Sequence, residues 1–366
     1  MTIPTEPIGS IPRPAFLIDS WSGFAAGRVS KTELESAVSE ALRDTIKRLE
    51  GTGSPVITDG EQSKPSFATY PLLGLLNLAP DGITIPFADG HTRQLPRLTA
   101  GPFRYAVYAS SFLNAAKPLA TKPLKQALIS ASALSLLYPQ DELPSYSREQ
   151  FLKDLVAEAE SDIRQCLQSG AASVQIDFTE GRLAAKLDPS LTLLRQFISL
   201  NNRVLERFSE TDRLRIGVHS CPGGDRDATH SADVDYAELL PSLFELKVNN
   251  FYIQLASEKN RRRVLSLIRE NLGPQHRVFV GVIDPIDPRL ETAEEVCSRV
   301  LEAAEYIPAS QLGTTDDCGF APFSDDTSTS RDLAFDKICA RVIGTQMAAD
   351  KNGMLIERGG YRPFCG

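Results

Sequence analysis

The stretch "LRIGVHSCPGG", residues 214–224, decides how the rest of the chain is read. An apolar run with the pattern of a buried strand ends in His219. Cys221 follows, then a proline and two glycines that stop the strand. Seven other runs share this form: "EPIGSI" (6–11), "PVITDG" (55–60), "LPRLTAG" (95–101), "ASVQIDF" (172–178), "NNFYIQLA" (249–256), "RVFVGVID" (277–284) and "SQLGTTDD" (310–317). Between them lie stretches with apolar residues at helical spacing, the clearest at 31–50, 147–169 and 291–307. Shorter ones fall at 189–208, 235–246, 259–272 and 331–348. Strands that alternate with helices imply parallel strands joined by helical crossovers. The class is therefore α/β, and eight units fit a single closed (β/α)8 TIM barrel spanning residues 1–366. A doubly wound open sheet is the alternative. The third unit is irregular. Residues 102–146 carry several prolines and aromatics and read as an extended excursion after strand 3 that covers the barrel mouth. Residues 81–95 read as a hairpin insertion with "DG" as its turn.

The chain has 366 residues, 42% apolar and 23% charged, the balance of a globular protein with a large core. A net charge of −8 disfavours nucleic acid and anionic membrane as partners. No apolar run approaches the length of a membrane span, and "MTIPTEPIGSIPRP" lacks a signal-peptide pattern. Six cysteines in so long a chain are sparse and unevenly spaced, which predicts reduced thiols and a cytoplasmic location. Cys166, Cys297 and Cys339 fall within helical patterns and read as small core residues, while Cys365 in the tail has no assigned role. The acidic helices and the excursion permit a homodimer without requiring one.

In such a barrel the site lies at the carboxyl ends of the strands. Those ends here are Ser10, Asp59 with Glu61, Gly101, Asp177, His219 with Cys221, Gln254, Asp284 and Cys318. Taken alone, His219-x-Cys221 reads as an inert buried cysteine beside a hydrogen-bonded histidine. Cys318 in "TTDDCGF" changes the balance, because it follows the eighth strand and its thiol can reach the barrel axis. One imidazole and two thiolates suit Zn2+, and three protein ligands with an open fourth position is the catalytic arrangement. Zinc would hold a bound thiol as thiolate, a nucleophile towards carbon. Activation of water for hydrolysis is the competing use of such a site.

The motifs "IGSIPRP", "DGEQSK", "AGP", "VQID", "HSC", "GVIDPIDPR" and "DDCGF" occur in this order. Together they resemble the C-terminal catalytic barrel of cobalamin-independent methionine synthase. More broadly they resemble the methionine-synthase/uroporphyrinogen-decarboxylase-like barrels, which include zinc thiol alkyltransferases acting on coenzyme M. The resemblance covers nearly the whole chain. It implies that His219, Cys221 and Cys318 are zinc ligands. It also implies that Ile8, Gly9 and Ser10 hold the carboxylate of an amino-acid thiol, and that Glu61 and Asp177 bind its ammonium group.

Three positions depart from the family pattern. The family's glutamate zinc ligand after the sixth strand is replaced by Gln254, a poor ligand, with Glu258 four residues on. Ile286 stands where a catalytic histidine is expected, which leaves His230 in "DATHSAD" as a candidate proton donor. Tyr108 stands where a folate-stacking tryptophan is expected, and is the candidate contact for the alkyl donor. Arg13, Lys64 and Arg104 near strand ends read as surface cations.

The implied activity is zinc-dependent transfer of a methyl or other alkyl group to the sulfur of a small thiol, homocysteine or a relative. Without the family's acid, folate is a poor donor and an epoxide-type electrophile fits better. A metal-free lyase or decarboxylase of the uroporphyrinogen-decarboxylase type is the alternative, as is a non-catalytic zinc- or thiol-binding protein.

Overall fold

The computed structural model describes residues 3–351. Its centre is a six-stranded, all-parallel sheet in which neighbours in space are neighbours in sequence. The strands are β1 (Lys125–Ile129), β2 (Ser173–Asp177), β3 (Ile216–Ser220), β4 (Asn250–Ile253), β5 (Arg277–Ile283) and β6 (Leu312–Asp316). Every residue is buried except Arg277, as expected of strands covered on both faces. The register aligns Ile129 with Asp177, and Asp177 with His219. The polar carboxyl ends therefore form one row.

Two further segments extend the sheet at its edges. Thr5 bridges Thr314 of β6 in parallel, and Ile57 bridges Leu124 beside β1. These two segments also bond to each other: Ile11 N–H donates to Gly60 O at 3.0 Å, and Thr58 Oγ1 to Gly9 O at 2.9 Å.

Each predicted stretch forms a helix, and further helices not predicted occur, among them Glu180–Leu187. The helices include α1 (Lys31–Gly51), α2 (Arg148–Gln168), α3 (Glu180–Leu187), α4 (Ala293–Ala304) and α5 (Arg331–Lys351). Ser30 with Glu33, and Thr292 with Glu295, form capping boxes that fix where α1 and α4 begin. Cys166, Cys297 and Cys339 are buried on α2, α4 and α5. No helix among the described residues is long and apolar enough to cross a membrane.

The third strand differs from expectation. "LPRLTAG" contributes only Arg97–Leu98, paired antiparallel with Leu78–Ala79 outside the parallel sheet. The place belongs to β1, in the middle of the segment read as a mouth-covering excursion. Its polar start hid it: Lys125 and Gln126 are both wholly buried, on a strand covered on both faces where sequence patterning expects apolar side chains. Lys125 is wholly buried, with Nζ 4.1 Å over the Tyr252 ring and 3.6 Å from Glu6 Oε2. The 81–95 hairpin does form, with Thr84–Pro86 paired to Thr92–Gln94 and Asp89–Gly90 in the turn.

Three acids on one face of α2 hold the irregular segment in place. Asp154, Glu158 and Asp162 recur at intervals of four residues, so they lie along one stripe. They accept from the hydroxyls of Tyr146, Tyr108 and Tyr70 respectively. Burial pushes the Asp162 carboxyl up to about 7. Its proton is thus held in the folded state and lost from the unfolded chain near the ordinary carboxyl value of 3.8. Stability from this group is fully present below that value and declines as pH rises through about 7. The Asp162→Asn variant should therefore show a flatter dependence of unfolding free energy on pH between 4 and 7 than the wild type, measured by urea denaturation.

Candidate metal centre

His219 ends β3 with its side chain directed into the fold, 1% exposed. Its Nδ1 lies 3.2 Å from Tyr252 O on the neighbouring strand β4. A carbonyl only accepts, so this contact assigns the proton to Nδ1 and leaves Nε2 as a free lone pair. Nε2 is buried and has no hydrogen-bond partner. Beside it, Cys221 Sγ and Cys318 Sγ are 3.2 Å apart. The three ligand atoms lie within 4.8 Å of one another, the one such group among the described residues.

An orphaned imidazole nitrogen facing two thiols is a donor set that could hold a metal ion, and its nitrogen and sulfur donors fit zinc. The Cys221 thiol, and then burial, push the Cys318 thiol well above its ordinary value. Two thiolates this close repel, and a divalent cation relieves that repulsion.

The loop that should supply a fourth ligand is turned elsewhere. Gln254 Oε1 accepts from Arg182 Nη1 at 2.9 Å, while its Nε2 donates to Ser257 Oγ. Glu258 Oε1 accepts from the same Arg182 nitrogen at 2.8 Å. Asp317, next to Cys318, fixes this loop. Its Oδ1 accepts from the Leu255 and Ala256 amides, and its Oδ2 from the Ser257 amide and hydroxyl. Gly281 on β5 makes room for it, since a Cβ there would lie 1.9 Å from Asp317 Oδ1.

A cavity of about 430 Å3 opens on the centre. Ile8, Gly9, Ser10, Glu61, Asp177 and His219 line its floor together with Cys318. Ser10 joins this floor to the Cys318 loop, because its Oγ accepts from the Ala321 amide at 3.2 Å. Glu61 occupies the left-handed backbone region, at φ 56°. Such strain persists where the surroundings over-determine a residue, commonly at functional sites. Here the Glu61 amide donates to Asp59 Oδ1, and its carbonyl accepts from Arg13 Nη2. Its carboxylate sits 3.2 Å from Lys64 Nζ. Burial raises the pKa values of both Glu61 and Asp177, and Asp177 adds to the shift at Glu61. The two buried carboxyls thus share the floor with the buried cations Lys64 and Arg13, in one polar cluster.

The reading of Arg13 and Lys64 as surface cations is corrected: both are buried, and both hold the Glu61 turn. Arg104 is exposed. Tyr108 is not among the residues lining the cavity and serves instead to bind Glu158 on α2. The aromatic wall comes from Phe67, Phe87 and Phe323. Isolated phenylalanines in loops carried no sequence signal for this role.

His230 does line the cavity, with Nδ1 2.8 Å from Ser231 Oγ. Burial, and then Lys186 and Arg182, push it down to about 4, so the ring is neutral near pH 7. On the other side of Cys318 lies a second cavity of about 460 Å3, reached by Gln254, Asp284 and Ile286.

The clamp around Asp317 makes a direct prediction. Gly281→Ala should displace that carboxylate, lower stability by roughly 2 kcal/mol or more, and weaken metal retention. Thermal denaturation and metal analysis of the same samples read the two effects.

With this geometry in hand, comparison with known proteins is informative. Residues 3–333 match the family model of the cobalamin-independent synthase catalytic domain. A methionine synthase of Saccharolobus islandicus is 23% identical over 359 residues, covering 98% of this chain and 97% of that protein. One from Sulfurisphaera tokodaii is 22% identical over 349 residues, covering 95% and 93%. Among solved structures, a B12-independent methionine synthase from Shewanella sp. W3-18-1 in complex with selenomethionine superposes with a TM-score of 0.78. It is 20% identical, with 97% of this chain and 100% of that one covered. The family match over nine-tenths of its length places the chain in the family of cobalamin-independent synthase catalytic domains.

Proposed function

We propose that the protein is a zinc-dependent S-alkyltransferase that moves a methyl or other small alkyl group onto the sulfur of a small amino-acid thiol. Homocysteine is the first candidate, as the names of the relatives suggest. We further infer a closed (β/α)8 barrel, in which the segments around Thr5 and Ile57 complete a ring with β1–β6. The bonds of these segments to β6, to β1 and to each other support that reading.

The observation that carries the function is the unpartnered Nε2 of His219 facing two thiols at the floor of an acid-lined cavity. His219, Cys221 and Cys318 would hold the zinc ion. When bound, zinc supplies a Lewis acid that keeps a substrate thiol ionised at neutral pH. Glu61 and Asp177 bind the substrate ammonium, whose charge offsets theirs. The Ile8–Ser10 turn receives the carboxylate. The tyrosine–acid ladder and the Arg13–Lys64 contacts keep this floor rigid, so the sulfur is delivered in one orientation. A metal-free lyase leaves the orphaned imidazole and the paired sulfurs without work to do.

The alkyl donor is read from what surrounds the sulfurs. Ile286 offers no proton, and the neutral His230 ring is not charged as an acid near pH 7. A donor with a good leaving group, or a strained ring such as an epoxide, needs least help from these residues.

Glu61→Gln and Asp177→Asn should each raise the KM for L-homocysteine by about 10- to 100-fold, the worth of a charge-assisted hydrogen bond, with a smaller change in kcat. Steady-state kinetics with methyl-donor and epoxide panels provide the check. Unchanged KM in both variants would remove the amino-acid thiol from the account. The absence of any S-alkylated product would remove alkyl transfer.

A further inference from the structure

The floor of the thiol cavity is deep. Ser10, Glu61, Asp177 and His219 are each at most 6% exposed and are approached through a cavity of about 430 Å3. Movement of its wall would widen or close that approach. The wall element least tied to the sheet is the 84–94 hairpin, whose strands pair only with each other. Ile85 and Phe87 from it face the cavity. Its stem, Leu78–Ala79 with Arg97–Leu98, is a separate ladder, and the two ladders are interrupted at residues 80–82 opposite Pro96. A proline gives no N–H to a ladder, so the break is a natural bending point.

Buried Phe87, edge-on to His230, and a set of polar contacts hold the hairpin down. Arg93 binds two carboxylates with one guanidinium. Its Nε and Nη2 meet Asp225 at 2.6 and 3.0 Å, and its Nη1 and Nη2 meet Asp325, both at 3.0 Å. The guanidinium also lies 4.1 Å over the Phe323 ring. His91 Nε2 is 3.0 Å from Asp225 Oδ2, and the Ala88 amide donates to Thr229 O at 2.8 Å. Asp225 lies four residues beyond Cys221, and Asp325 seven beyond Cys318. One side chain therefore grips both loops that carry the sulfurs. Asp325 is exposed whereas Asp225 is buried, so the Asp325 half of the grip opens to water more easily than the Asp225 half.

We propose that residues 84–94 are a lid over the thiol cavity and that Arg93 is the positioning residue that latches it to the two sulfur-bearing loops. This rests on the reading of that cavity as the thiol site. Opening hydrates Arg93, Asp225 and Asp325 and exposes the floor. Closure over bound thiol restores the latch and pushes Phe87 against the occupant.

The test uses the full-length, zinc-loaded protein, with L-homocysteine as probe. Hydrogen exchange is followed for amides in 84–94, and calorimetry reports binding separately. Saturating homocysteine should slow lid exchange at least about tenfold, and Arg93→Gln should speed it by a similar factor without changing metal content. The same variant should raise the homocysteine KM more than it lowers kcat, and Arg93→Lys should recover part of the loss. Unchanged lid exchange in Arg93→Gln, or homocysteine that binds without slowing the lid, overturns the proposal. If homocysteine does not bind at all, the thiol assignment fails, and the lid is judged on the Arg93→Gln exchange alone.

Discussion

Two sulfurs that are 97 residues apart in sequence are held 3.2 Å apart at the carboxyl ends of β3 and β6, with an unpartnered imidazole nitrogen beside them. The buried imidazole nitrogen has no hydrogen-bond partner, which is costly for a polar atom unless something satisfies it. The surrounding structure keeps all three groups in place nonetheless. The Tyr252 carbonyl fixes the His219 tautomer, as a neighbouring acceptor does for metal-bound histidines. Asp317 ties the base of the Cys318 loop to the turn after β4, and Gly281 gives it room.

The same cavity gathers buried charge. Glu61 and Asp177 lie at its floor, and the strained Glu61 turn is held by Arg13, Asp59 and Lys64. The soft donors and the carboxyls share one cavity, which is what the proposed zwitterionic thiol would occupy. The departures from the family pattern fall at the fourth-ligand position and at the two positions expected to serve the alkyl donor. Gln254 is committed to Arg182, Tyr108 to Glu158, and Ile286 is apolar.

Much of this was legible in the sequence, and the failures have physical causes. Strand ends drawn from β2, β3 and β6 named Asp177, His219, Cys221 and Cys318, because parallel strands gather their polar ends on one side. β1 went unseen, since a buried lysine is stabilised by partners, Glu6 and Tyr252, that are far away in sequence. Arg13 and Lys64 were misread for the same reason: burial of a cation depends on a distant acid or carbonyl. The hairpin was legible as local structure from its turn, but its place over the cavity depends on Asp225 and Asp325, which no local pattern links to Arg93.

The central claim is that His219, Cys221 and Cys318 form one metal centre open to a thiol. X-ray absorption at the zinc edge, with metal content measured on the wild type, Cys221→Ser and Cys318→Ser, tests it most directly. The account predicts one zinc per chain in the wild type, two sulfurs and one imidazole nitrogen in its shell, and a third sulfur on adding L-homocysteine. Both variants should lose the metal. Protein purified without chelator that contains no zinc, or zinc that survives both substitutions, would contradict it.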